Sequence, residues 1–368
     1  MAELFSMTDP LGLRIDPRAD PHVHFREDER EITWNLDMVC PDTDIVVPIA
    51  NHQAWIKTGE GAVVYRDKIK ELADRKQYDL EIVPSIMLAQ DTTPKMIVEA
   101  CARGVVEVKC MFEGLSTNSR AQLAVEPDHL FDHIDTLRAI SGEGMVLALH
   151  LEVKCRHGVV SRRFDRERDA RPLLGELYER VPGLRIAVKH VSTAEMADFI
   201  LGFKGAIGFG MVPQHYETSV HDMIDDKLNL ANVFLPVPQE LADVARLRAI
   251  AVARYPFVWL ETDQALHPWN ARKARPLAAC GAVSAHVAGS TAISMFEQSG
   301  HPDWPNRLEQ FWRHNFKRFY GISRPANRQL HWIKKPWTVP DWYEIPEMND
   351  KVLPLLWGKT MEWQLVKG

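Results

Sequence analysis

Short apolar runs rich in Val, Ile and Leu alternate along the chain with longer amphipathic stretches. The runs are 20–25 (DPHVHF), 44–49 (DIVVPI), 81–88 (EIVPSIML), 105–111 (VVEVKCM), 145–152 (MVLALHLE), 184–191 (LRIAVKHV), 208–215 (GFGMVPQH) and 257–262 (FVWLET). Helical periodicity falls between them, at 62–75, 94–103, 127–141, 167–180, 193–201 and 238–255. Continuous apolar strands that each lead into a helix imply a parallel sheet covered by helices, because such strands are buried on both faces. Eight units of this kind predict a closed (β/α)₈ TIM barrel. A doubly wound open sheet would carry a Gly-rich phosphate turn after its first strand, and this chain has none there. One more helix is expected over 308–320. The tail from Ser323 is rich in Pro and Trp and lacks long periodic runs. The expected organisation is one domain, a barrel over 1–322 with an irregular extension over 323–368 packed on it.

Composition narrows the function classes. The chain has 368 residues, 46% hydrophobic and 26% charged, enough apolar material for a large core. A formal net charge of −6 and the lack of a long basic run argue against a nucleic-acid partner. No stretch approaches the roughly 18 uninterrupted apolar residues of a membrane span. The opening MAELFSMTDPLGL has no basic segment followed by an apolar one, so a secretory signal is not expected. Cys40, Cys101, Cys110, Cys155 and Cys280 are scattered and form no CxxC pair. Reduced thiols and a cytoplasmic location follow as expectations.

Metal-competent residues gather at the predicted strand ends. His22 and His24 are two apart, and positions i and i+2 of a strand share a face. Lys109 lies inside VVEVKCM, His150 near the end of MVLALHLE, His190 near the end of LRIAVKHV, and Asp263 just after FVWLET. In a barrel these ends converge on one mouth, where barrel enzymes keep their active sites. Taken singly, each has an ordinary reading: a packed histidine, or a helix-capping aspartate. A lysine in an apolar strand needs more explanation, since an unpaired buried ammonium is costly. Imidazole and carboxylate ligands suit zinc. A neutral lysine amine, its pKa lowered by burial, can take up carbon dioxide and form an anionic carbamate able to bridge two metals. The residue count fits two ions.

With these stretches in view, the chain resembles the amidohydrolase superfamily, and within it the dihydroorotase family of the shorter bacterial type. The matching motifs are DPHVHFRE (20–27), VVEVKCMFEGLSTNS (105–119), LALHLEV (147–153), FDRERD (164–169), VKHVSTAEMADF (188–199), VPQHY (212–216), LETDQALHP (260–268), NFKRFYGI (315–322) and LPLLWGKTMEW (353–363). The resemblance implies that His22, His24 and Asp263 hold a first Zn²⁺, that His150 and His190 hold a second, and that carboxylated Lys109 bridges them. It implies that Arg26 binds a substrate carboxylate, assisted by His267, with Asn51 nearby. Ser116 and Thr117 then belong to a loop that closes over substrate. Asp263 also becomes the base that carries a proton to the departing ring nitrogen. A guanidinium can hold a carboxylate through two parallel hydrogen bonds, which supports Arg26 on physical grounds. Glu152, two residues after His150, is placed to orient that ring.

The implied reaction is zinc-dependent hydrolysis of a cyclic amide, the interconversion of dihydroorotate and N-carbamoyl-aspartate in pyrimidine synthesis. Its partner is a small cyclic substrate bearing a carboxylate, and a homodimer is implied. Departures from the family pattern raise a second reading. The last-strand motif is TDQALH rather than TDSAPH or TDHAPH, and Ile49 stands where an asparagine is usual. A hydantoin- or dihydropyrimidine-like ring on the same metal shell is the alternative. A catalytically dead assembly partner is a third, disfavoured because all six ligand positions are filled.

Overall fold

The structure, a computed structural model, describes residues 8–9, 12–115, 119, 123–326 and 328–366. Its central strands, in chain order, begin with β1 (Gly12–Ile15), β2 (Arg18–His24), β3 (Thr43–Pro48), β4 (Glu81–Ile82) and β5 (Ser85–Met87). They continue with β6 (Glu107–Met111), β7 (Val146–His150), β8 (Arg185–Val188), β9 (Ile207–Met211), β10 (Val258–Leu260) and β11 (Gln264–Ala265). One parallel sheet runs β11-β2-β3-β4 and the other β5-β6-β7-β8-β9-β10.

The two sheets meet through two interrupted strands. Pro84 has no N–H to offer a ladder, so it divides β4 from β5. On either side of it, Val83 N–H reaches Val46 O (2.9 Å) and Pro84 O accepts from Val106 (3.2 Å). The run from β10 to β11 makes the same transfer. Glu261 N–H bonds Met211 O (2.9 Å) on one side, and Thr262 N–H bonds the Asp20 carboxylate (3.0 Å) on the other.

Helices follow the strands: α1 (Glu29–Val39), α2 (Gly59–Arg75), α3 (Pro94–Ala102), α4 (Ile134–Gly142), α5 (Arg171–Arg180), α6 (Ala194–Leu201), α7 (Leu241–Val252) and α8 (Ala285–Gln298). Their starts are chemically marked. Asp28, Thr58, Thr93 and Thr193 each accept a backbone N–H of the first turn. Two cores result. Ala19, Ile45, Val47, Val83, Val146, Ala148, Ala187 and Trp259 pack together on the inner strand faces, capped by Phe316 and Tyr320. Their i±1 neighbours, such as Leu147, Ile186 and Val258, pack outward against the helices. That alternation is the period of two that pleated strands impose.

Three expectations are corrected. The tail is not irregular: β12 (Leu330–Thr338) and β13 (Thr360–Leu365) pair antiparallel, and β12 also pairs with β1. The start of the chain and the tail thus share one sheet. Alternation at Leu330 and Trp332 drives this strand, but two buried positions are too few to register as a pattern. The 208–215 run stops being a strand at Met211, because Pro213 opens a short helix, Pro213–Glu217. The helix expected over 308–320 is three segments, Trp304–Glu309, Gln310–His314 with π geometry, and Asn315–Tyr320.

Candidate active site

Alternating positions on the inner strand faces stack into layers. On β10 and beyond it these are Trp259, Glu261 and Asp263; on β6, Glu107 and Lys109; on β7, Val146, Ala148 and His150. The lowest layer is apolar. The middle layer is ionic. Lys189 Nζ lies 2.8 Å from Glu107 Oε2 and donates to Pro21 O (2.9 Å) and the Tyr320 hydroxyl (3.1 Å). Tyr320 in turn donates to Glu107 (2.7 Å). Glu261 accepts from His190 N–H (2.6 Å), and burial pushes its carboxyl up to about 7. Gly210 faces this carboxylate so closely that a Cβ there would fall 2.0 Å from it.

The top layer holds all six residues singled out as ligands, each buried. His22 Nε2 and His24 Nε2 lie 3.3 and 3.1 Å from the same Asp263 oxygen. These three residues form a group able to hold a cation. His150 Nδ1 and His190 Nε2 are 3.1 Å apart. The His22 and His190 rings, 5.1 Å between centroids, join the two halves. Lys109 Nζ is fully buried and has no hydrogen-bond partner among the described residues. Burial, then the neighbouring Lys189 ammonium, pushes Lys109 down to about 8. Burial and then Lys109 hold His22 well below the usual imidazole range, and burial and then His150 do the same to His190. These rings are therefore neutral near pH 7, with lone pairs to offer.

Outer contacts fix ring orientation. His24 Nδ1 meets Asn51 Oδ1 at 2.8 Å, and His150 Nε2 meets Glu152 Oε2 at 2.8 Å. Each contact leaves the opposite nitrogen facing the cluster. With its proton on Nδ1, His24 points a lone pair at a carboxylate oxygen. Lone pairs converging at about 3 Å, beside an unpartnered amine, suit a bound cation, and the donor set fits divalent metal. Arg26, His190 and Asp263 all have left-handed backbone, at φ 73°, 40° and 50°. Such strain in non-glycine residues concentrates at functional sites. At His190 it serves a purpose, turning the ring toward the cluster although the preceding Lys189 already takes the inward position.

Beside the cluster a cleft of about 390 Å³ opens, lined by Arg26, Glu31, Asn51, His52, His267 and Arg272, among others. Arg26 Nη2 donates to His267 Nε2 (3.2 Å). Burial and then Arg272 push the Arg26 guanidinium down to about 10, and among the described residues it has no ion-pair partner. Gly281 allows this arrangement: its φ is 152°, and a Cβ there would fall 2.5 Å from His267 Nε2. Ser116 and Thr117 lie outside the described residues.

The residues that depart from the family pattern turn out to have packing roles. Gln264 donates to Asn35 Oδ1 of α1 (3.1 Å) and accepts from Ser284 and Ala285 N–H at the start of α8 (2.9 and 3.0 Å). Leu266 is buried with Trp34 and Val283, and Ile49 with Trp55 and Met87. Sequence reasoning passed over Lys189, Glu107, Glu261 and Arg272. The first three carry the signal that marked Lys109, a charge inside an apolar run. Arg272 carries none, since it lies in a polar stretch.

No family model matches the chain. Among curated proteins, the dihydroorotase of Marinomonas sp. (strain MWYL1) is 28% identical over 349 residues, covering 94% of this chain and 97% of the relative. Among solved structures, dihydroorotase from Saccharomyces cerevisiae in complex with 5-fluoroorotic acid superposes with a TM-score of 0.86 at 22% identity, covering 97% of this chain and 98% of that one. L-hydantoinase from Arthrobacter aurescens superposes at 0.78 with 14% identity, over 96% of this chain and 83% of that one. Over nearly its whole length the chain is thus similar to dihydroorotases, and it shares its fold with them and with hydantoinases.

Proposed function

We propose that this chain is a zinc-dependent dihydroorotase, interconverting dihydroorotate and N-carbamoyl-aspartate. One observation carries the reading: His22 and His24 converge on Asp263, His150 and His190 meet beside them, and the Arg26 guanidinium, with no ion-pair partner among the described residues, lies in the adjoining cleft. The two parallel sheets, joined through their interrupted strands, are read as one (β/α)₈ barrel with this cluster at its mouth.

His22, His24 and Asp263 would hold one Zn²⁺ and His150 and His190 a second, with carboxylated Lys109 between them. When bound, such a pair supplies Lewis acidity, lowering the pKa of water and polarising an amide carbonyl. The chain's own residues do the rest. Arg26, held by His267, takes the substrate carboxylate through a bidentate contact and sets the ring's orientation. Asp263 accepts a proton at its carboxylate and returns it to the ring nitrogen as the amide bond breaks. Asn51 and Glu152 keep the His24 and His150 rings in their working tautomers. Substrate in the cleft would cover Asp263 and exclude bulk water from it.

Hydrolysis of a hydantoin-like ring rested on Gln264, Leu266 and Ile49. All three pack against helices or core, away from the cleft lining, so that motive falls. The test is a spectrophotometric assay with dihydroorotate and with carbamoyl-aspartate, on zinc-loaded protein supplied with bicarbonate. Turnover in both directions, abolished by chelation, is expected. Metal-loaded protein that leaves both compounds untouched would overturn the reading.

A further inference from the structure

At the opposite end of the strands from the candidate active site lies a second cleft, of about 460 Å³, a size typical of small-molecule sites. Its floor is the set of turns that lead into β8, β9 and β10. Three cations line it: Arg185, Lys204 and Arg318. No described carboxylate forms an ion pair with any of them. Neutral oxygens hold the two arginines in place. Arg185 donates to Phe319 O (2.8 Å) and to Gly144 O, and Arg318 donates to Asn315 Oδ1 (3.3 Å) and Gln310 Oε1 (3.2 Å). These contacts orient the guanidinium groups without neutralising them. Elsewhere on this surface arginines commonly sit on acids, as Arg246 does on Asp198 and Arg307 on Asp303.

Three aromatic rings share the walls with small and apolar residues. Tyr178, Phe257 and Phe319 line the same cleft. Tyr178 is 39% exposed, a large ring face left to solvent and set edge-on against Phe203 (4.8 Å). Uncompensated cations draw an anion, and a flat ring beside them offers a stacking surface. Cations and aromatic faces in one cleft are complementary to a ligand that joins a phosphate to a planar heterocycle.

We infer that this cleft is a binding site for a nucleoside monophosphate, its phosphate between Arg185, Lys204 and Arg318 and its base against Tyr178. The site is separate from the metal cluster, and the inference stands whatever the reaction there.

Calorimetric titration of the full chain tests it with three probes: adenosine 5′-monophosphate, inorganic phosphate and adenosine. The nucleotide should bind saturably with Kd at or below about 1 mM, phosphate at least about tenfold more weakly, and adenosine without measurable heat. The double variant Lys204→Glu/Arg318→Glu should abolish nucleotide binding and leave turnover unchanged. Tyr178→Ala should weaken the nucleotide and not phosphate. No saturable nucleotide binding would overturn the inference, as would binding that survives the double variant. Phosphate binding as tightly as the nucleotide, an adventitious ion only, would overturn it too.

Discussion

Lys109 and Lys189 are both fully buried, and the fold treats them in opposite ways. Lys189 has a carboxylate, a carbonyl and a hydroxyl within hydrogen-bond reach; Lys109 has no hydrogen-bond partner among the described residues. The same division separates their layers. In the middle layer Lys189, Glu107 and Tyr320 bond one another, with one Glu107 oxygen left over. In the layer above, nitrogens and carboxylate oxygens crowd together with lone pairs facing. Burying unmatched polar groups costs stability, so an amine and ring nitrogens left unbonded together in the upper layer point to something that layer binds.

Perturbing each layer should break or sharpen that contrast. The largest effect is expected in the upper one: Asp263→Asn should lower kcat by between about 100- and 10,000-fold while much of the metal is retained, read by steady-state kinetics alongside elemental analysis. Next comes a paired test of stability on metal-free protein by urea unfolding. Lys189→Met leaves Glu107 without its counter-charge and should cost about 3–5 kcal/mol. Lys109→Met removes a cation that had no partner and should be neutral or stabilising. If the two variants behaved alike, the contrast between the layers would be wrong.

A smaller effect is expected from the ring-orienting contacts. Asn51→Ala should reduce metal affinity by about 10- to 100-fold, measured by competition with a chelating dye. Near neutral pH the smallest is a pH effect away from the site, which grows only in acid. His286 packs edge-on against Tyr343, and burial pushes it down to about 3. Between about pH 6.5 and 3 the unfolded imidazole carries a proton that the folded one lacks. This residue's contribution is therefore complete above 6.5 and is lost as pH falls toward 3, at up to about 1.4 kcal/mol per unit. His286→Phe should remove that slope from the pH dependence of unfolding.

The sequence was most legible where one physical rule acted alone. Apolar runs such as 44–49 and 184–191 announced β3 and β8, since strands buried on both faces must be apolar throughout. The metal-competent residues stood out as polar exceptions in those runs. The two longest helices that went unanticipated did so for opposite reasons. α1 (EREITWNLDMV) is charged enough to pass for a loop, although Ile32, Trp34, Leu36 and Val39 are buried. α8 (AHVAGSTAISMFEQ) is small and uncharged, and it is buried on nearly every face, so it shows no amphipathic period. Gln264 was read as a mark of altered specificity. Its role as a clamp between α1 and α8 depends on contacts 229 and 20 to 21 residues away, which no local pattern records.

The central claim is that the unmatched upper layer is a two-metal site bridged through Lys109. The most direct measurement is metal stoichiometry of the wild type and of Lys109→Met after loading with zinc in bicarbonate. The account predicts about two ions per chain in the wild type and one or fewer in the variant. A wild type that binds none, or a variant that still binds two, would contradict it.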